Sequence, residues 1–406
     1  MAAAKQTTTV EMEAGNPKKA VPAKKSSAKM MIAVGAVLGV VAIAVAVVLI
    51  VVLRKDSVSV PETLPLIGHY MTDWGTAITV TSTTWYSMSS YGDSASAIDS
   101  YGANYVIMQN PADDAYNPSK WSKVEWHGEG AAGFSYCTTV YDATTKEEAL
   151  NRDTDDIYDE NDASGGCGAS GFAHTVASPY NMPNRGTFLD NWGSYITITD
   201  DTWYSGNDYS TIDIYGSNVA VVLTSPNAYN PNTYSKLRFH TVGSGFGYCT
   251  TAYGLEDLTT AFNAAEVYNA SDATSGCGAS GFAHTVASPY SIPIAGSWSD
   301  NWGTAISVTN SVWTSGGSAH HIEAYSNSWL LIKTPADAYY PNTWSRIDFH
   351  PATAGGSVAN GFGYCTTVYN ATTAAEALTT AGTYNASDAS GGCGASGFSH
   401  SVASPA

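Results

Sequence analysis

Two hydrophobic patterns divide the chain. From Met30 to Leu53 there are 24 residues without a charge, almost all Ala, Val, Ile, Leu or Gly. As a helix rising about 1.5 Å per residue, that run reaches about 36 Å, enough to cross a hydrocarbon core of about 30 Å. Beyond it the period is two. Ala77-Ile-Thr-Val-Thr, Tyr195-Ile-Thr-Ile-Thr and Ala305-Ile-Ser-Val-Thr alternate, Val219-Ala-Val-Val-Leu and Trp329-Leu-Leu-Ile read as buried strands, and Gly, Asn, Asp and Ser clusters separate them.

The alternating part is one unit written three times. GCGASGFAHTVASPY occurs at Gly166–Tyr180 and again, unchanged, at Gly276–Tyr290, and a near copy starts at Gly392. Each unit carries a Trp-Gly pair at Trp74, Trp192 or Trp302, and a second Trp eleven residues on at Trp85, Trp203 or Trp313. Ala-Tyr-x-Pro follows at Ala115, Ala228 and Ala338, then Tyr-Cys-Thr-Thr at Tyr136, Tyr248 and Tyr364. A repeat of domain size buries its own core. The expected fold is mainly β: three tandem small antiparallel barrels or sandwiches of six or seven strands. One helix per unit is expected between the cysteines, after the capping boxes Thr145-x-x-Glu148 and Thr373-x-x-Glu376.

The expected organisation is a basic tail over 1–29, a transmembrane signal-anchor helix over 30–53, a stalk over 54–65, and modules over 66–182, 183–293 and 294–406. Lys5, Lys18, Lys19, Lys24, Lys25 and Lys29 precede the apolar run, which predicts a cytoplasmic N-terminus and modules on the extracellular or luminal side, as a type II single-pass membrane protein. Gly35 and Gly39 form a small-xxx-small pair that permits a homodimer through the helix. Six of the 17 basic residues and two of the 35 acidic ones precede Arg54, leaving 11 basic against 33 acidic beyond it. That balance excludes a nucleic-acid partner.

Cysteines come one pair per unit: Cys137 with Cys167, Cys249 with Cys277, Cys365 with Cys393. In an oxidising compartment each pair is expected to close a disulfide, contributing about 3.5 kcal/mol through loop entropy. The rival is metal. His127, His240 and His350 recur on a strand, and His174, His284 and His400 recur seven residues past the second cysteine. Two Cys and two His could make a zinc site, though without closed-motif spacing, and the histidine pair alone could offer two ligands.

The strand before the first cysteine reads WSKVEWH, YSKLRFH and WSRIDFH. Alternation places Trp121, Lys123 and His127 on one face, as it does Tyr234, Lys236 and His240, and Trp344, Arg346 and His350. An aromatic, a cation and an imidazole together suit a sugar ring or an anion, while the plainer alternative is an outward polar face. Asp153, Asp155, Asp156, Asp159, Glu160 and Asp162 crowd the first unit, a calcium candidate without EF-hand spacing and otherwise a solvated acidic loop. Asn269, Asn370 and Asn385 open sequons for glycosylation. Asp73, Asp190 and Asp300 recur at the Trp-Gly pair, but an acid and a histidine name no reaction, and no nucleophile elbow or phosphate loop occurs. The chain therefore reads as a binding protein rather than an enzyme.

Trp74-Gly-x-x-Ile78, Asn117-Pro-x-x-Trp121-Ser-Lys-Val-Glu-Trp126, Tyr136-Cys137 and Gly166-Cys-Gly168 resemble an uncharacterised secreted domain of bacterial lipoproteins. That resemblance implies an exported, disulfide-bonded module with no known activity. His127 and His174 depart from the family pattern. Three modules in a row predict multivalent binding of a glycan or protein. The alternatives are a metal-binding protein or metal-dependent enzyme built on the histidine pair, with zinc there or calcium at the acidic loop, and a structural spacer or coat component.

Overall fold

The alternating segments become strands, and in each repeat eight of them close on themselves. The structure is a computed structural model; it describes residues 63–406, except 129–131, 155–156, 169–171, 207, 279–280, 353–357, 381 and 395–398. In barrel 1 the strands are β1 Gly68–Thr72, β2 Ala77–Val80, β3 Thr84–Ser89, β4 Gly92–Tyr101, β5 Tyr105–Gln109, β6 Trp121–Gly128, β7 Phe134–Ala143 and β8 Thr175–Pro179. Each pairs antiparallel with the next, and β8 returns to β1 with Thr72 opposite Ala177. Barrels 2 and 3 close likewise, with Asp190 opposite Ala287 and Asp300 opposite Ala403. Closure leaves no edge strand to pair with another chain.

Side chains fill the barrels. Trp85, Trp126 and Phe134 pack inside barrel 1 with Tyr70, whose ring meets Phe134 edge-on at 4.9 Å. The plug of each barrel comes from the segment before its first strand: Leu64, Met182 and Ile292 are buried in the barrel that follows. Each precedes a proline.

Three six-residue helices, α1 Lys146–Asn151, α2 Leu258–Asn263 and α3 Ala374–Thr379, lie between the paired cysteines. Thr145, Asp257 and Thr373 cap them by accepting the N–H three residues on. Glu148 Oε2 in turn takes the Thr144 N–H at 2.8 Å, closing the box one residue outside the cap.

Neighbouring barrels bury apolar surface against each other. Ala77, Tyr86 and Met88 on the outside of barrel 1 form one cluster with Ile214, Val221 and Phe262 of barrel 2. Tyr204 of barrel 2 joins Trp329, Leu331 and Leu378 of barrel 3. The leading face of barrel 1 differs: Leu150, in the place of Phe262 and Leu378, is 38% exposed, against 1% and 2%. Lys146 stands where Leu258 and Ala374 do, and pairs with Asp99.

The single-pass membrane assignment is corrected. Among the described residues no helix is long and apolar enough to cross a membrane. The run Met30 to Leu53, the basic tail and the Gly35/Gly39 pair lie outside the described residues, and the sidedness derived from that run is not carried forward.

Candidate functional site

All three cysteine pairs are disulfides, with Cα atoms 5.4, 5.5 and 5.6 Å apart. This removes the sulfurs as metal ligands, so a Cys2His2 zinc site is excluded. Each bridge pins the long connection between the seventh and eighth strands onto the outside of its barrel, where Tyr158, Cys167 and Phe172 form a short ladder.

That connection covers the strand face expected to form an aromatic and cationic platform. Lys123 and Lys236 are buried. Lys123 Nζ donates to Thr154 Oγ1 at 3.0 Å and pairs with Glu125 at 2.9 Å. Lys236 Nζ donates to the Phe262 carbonyl at 2.7 Å, and Arg346 Nη1 to the Leu378 carbonyl at 3.1 Å. Lys236 and Arg346 therefore satisfy carbonyls at the helix C-termini, while Lys123 is held by a hydroxyl and a carboxylate. Trp121, Tyr234 and Trp344 are partly buried and pack into the outer apolar clusters. The two lysines are thus internal structure, whereas Arg346 and His240 border clefts of about 440 and 250 Å³.

The repeated histidines do come together. His127 and His174 have ring centroids 5.1 Å apart, His240 and His284 4.9 Å, His350 and His400 5.0 Å. A tyrosine completes each group. Tyr158 stacks on His174 at 5.3 Å and bonds His127 Nδ1 at 3.0 Å. Tyr268 does the same for His284 and His240, at 5.4 and 2.8 Å, and Tyr384 stacks on His400 while bonding His350. Desolvation, then the neighbouring imidazole, lowers the pKa of His127, His240 and His350. Burial pushes the Tyr158 and Tyr268 phenols up to about 12, so both stay protonated. Gly247 and Gly363 lie under the outer histidines; a Cβ on either would come within 2.5 Å of the ring. The tyrosine is the member that sequence reading missed, although a Tyr stands nine residues before the second cysteine in every unit.

A second repeated feature is exposed. In a barrel with an even number of antiparallel strands, the chain enters and leaves at one end. The opposite end holds the β1–β2, β3–β4, β5–β6 and β7–β8 connections. Among the described residues, every large exposed hydrophobic side chain except Ile67 belongs to these connections or to the strand ends bordering them. Trp74, Trp192 and Trp302 are 74%, 71% and 73% exposed at the tips of the first turns. Tyr116, Tyr229 and Tyr339 recur on the third connection, and Phe172 and Phe282 on the fourth. Asp190 shapes its turn by accepting the Trp192 and Ser194 N–H groups; Asp300 does so for Trp302 and Thr304. Asp73 instead takes the Val176 N–H at 3.1 Å.

In the acidic loop, Asp155 and Asp156 lie outside the described residues, and Asp162 accepts from Ser164 and Gly165 in its own turn. No group of three or more His, Cys, Asp or Glu side chains among the described residues is arranged to hold a metal. Asn269, Asn370 and Asn385 are exposed. Comparison with protein-family models, curated proteins and solved structures found no match to the chain.

Proposed function

We propose that the protein is a trivalent glycan-binding module, each barrel presenting its aromatic end to a polysaccharide. The supporting observation is the segregation of exposed rings. A Trp more than 70% exposed gives up apolar burial, and this occurs at the same turn in three barrels. The rings stand on separate loops, in turns rich in Asp, Asn, Ser, Thr and Gly. Separate flat rings among hydrogen-bonding groups suit the C–H faces and hydroxyls of sugars better than the continuous apolar patch of a protein interface. Three linked sites raise avidity through effective concentration. The disulfides fit an oxidising, extracellular setting.

A glycan array followed by depletion assays on insoluble polysaccharides tests the reading with the intact chain. Trp74→Ala, Trp192→Ala and Trp302→Ala should each weaken retention several-fold, and the triple variant should lose it. Retention of the triple variant on the same glycan, or capture by a protein ligand alone, would overturn it.

A further inference from the structure

The inner histidine of each group has at least one nitrogen with nothing to bond. His174 Nε2 is 3.0 Å from the Gly166 carbonyl oxygen. A carbonyl only accepts, so Nε2 carries the proton and Nδ1 keeps its lone pair. The ring is 2% exposed, and Nδ1 finds no hydrogen-bond partner. In His284 and His400 neither ring nitrogen has a hydrogen-bond partner, Nδ1 included. In barrel 2 the Nε2 edge again lies against the Gly-Cys-Gly backbone, 3.0 Å from where a Cβ on Gly276 would stand. A buried acceptor left without a partner is destabilising, and three copies of one such atom call for an occupant.

We infer that each barrel holds a divalent transition-metal ion between its two histidines: His127 with His174, His240 with His284, and His350 with His400. The spacing suits it. Two imidazoles bound tetrahedrally at about 2.0–2.1 Å place their ring centroids about 5 Å apart. The three pairs lie 4.9–5.1 Å apart, with ring planes inclined by 57°, 63° and 64°. The outer shell is of the kind that orients metal-binding histidines: a backbone carbonyl on His174 Nε2–H and a phenol on His127 Nδ1, leaving Nε2 of His127 as the ligand atom. A cleft of about 250 Å³ lined by His240 and Tyr268 gives the ion a way in. Two imidazoles without a carboxylate or thiolate favour Zn²⁺, Cu²⁺ or Ni²⁺ over Ca²⁺ or Mg²⁺, and leave positions open to water or a ligand atom.

Equilibrium dialysis of the full chain against Zn²⁺, with metal counted by mass spectrometry, should give three ions per chain. His174→Phe, His284→Phe and His400→Phe should each remove one, and the triple variant all three. Should the Phe variants fail to fold, His127→Gln, His240→Gln and His350→Gln remove a ligand from the half-buried side and should empty the sites equally. Cu²⁺ bound to the native chain should show nitrogen hyperfine structure from two imidazoles. No retained metal, or three ions still held by the triple Gln variant, would overturn the inference and assign the bare nitrogens to trapped water.

Discussion

Between barrels 1 and 2, the ring of His69 lies on Tyr215 with centroids 4.2 Å apart and bonds Thr79 Oγ1 at 2.8 Å. Between barrels 2 and 3, Thr187 occupies the equivalent position and bonds Thr197 at 2.9 Å. With no imidazole stacked on Tyr325, a cleft of about 1,010 Å³ opens there, lined by Thr187, Asp200, Asp201, His321 and Glu323 among others. The first junction adds Tyr86 edge-on to Phe262 at 4.9 Å and Arg238 paired with Asp93 at 2.7 Å. In the second, Asp348 stands where Arg238 does and pairs with Arg346 of its own barrel at 2.9 Å. One fold copied three times thus makes a filled junction and an open, acidic one. The interiors set the barrel; the outward residues, free of that constraint, set how barrels meet.

The strongest way to break the comparison is to empty the filled junction. Phe262→Ala leaves Tyr86 facing a void and should cost about 3–5 kcal/mol, whereas Leu378→Ala at the second junction should cost about 2–4 kcal/mol. Urea unfolding with hydrogen exchange resolved by barrel would show which barrels loosen. Equal, small losses of under about 1 kcal/mol at both would mean that the barrels are merely tethered.

Acid should separate the junctions next. Burial lowers His69 to about 4, with Asp200 opposing part of the shift. Between about 4 and 6.5 the unfolded chain then binds more protons than the folded one. Stability at the first junction is full above 6.5 and is lost as pH falls through this window, by at most about 3 kcal/mol. Burial, then Asp201, raises the Glu323 carboxyl, while Lys333 and Arg185 oppose; His321 is 3.5 Å away. Here the folded state holds the extra proton, so stability falls as pH rises through the folded value, and acid tightens the second junction. Hydrogen exchange at pH 7 and pH 4.5 should show barrel 1 loosening and the contact between barrels 2 and 3 holding. Parallel changes at both would count against these two residues as the source.

Much of this was legible in the residues and some of it was not. The repeats, the cysteine pairs and the helix caps depend on short-range signals, and they read directly. The strand count read low: Thr175–Pro179 is short, polar and ends on proline, and Gly68–Thr72 carries little alternation. Both are strands because closure pairs them with each other. Alternation placed Lys123 and His127 on one face correctly, but it says nothing of what lies over that face. A disulfide-pinned connection covers it, and that depends on contacts 30 residues apart in sequence. The turn tryptophans were visible as a repeat, yet a Trp reads as core by default. Their exposure follows from sitting at the tips of turns, where no layer packs over them.

The smallest expected effect is the most direct test of what distinguishes the junctions. Thr187→His places in barrel 2 the residue that barrel 1 has at His69, at the same register after a glycine that starts the first strand. Tyr325 offers the ring that Tyr215 offers, with its hydroxyl likewise held by a backbone carbonyl, that of Tyr290 as Tyr215 is by Tyr180. The new imidazole should stack on Tyr325, occupy part of the cleft and gain about 0.5–1 kcal/mol at neutral pH. It should also bring the acid sensitivity of the first junction to the second, moderated because Asp200, Asp201 and Glu323 stabilise its charged form. Calorimetry at pH 7.5 and pH 5 reads both. If the variant is destabilised at pH 7.5, the open junction is shaped by more than the missing ring, and the Asp200–Arg185 pair, 3.2 Å apart at the cleft, becomes the next element to exchange.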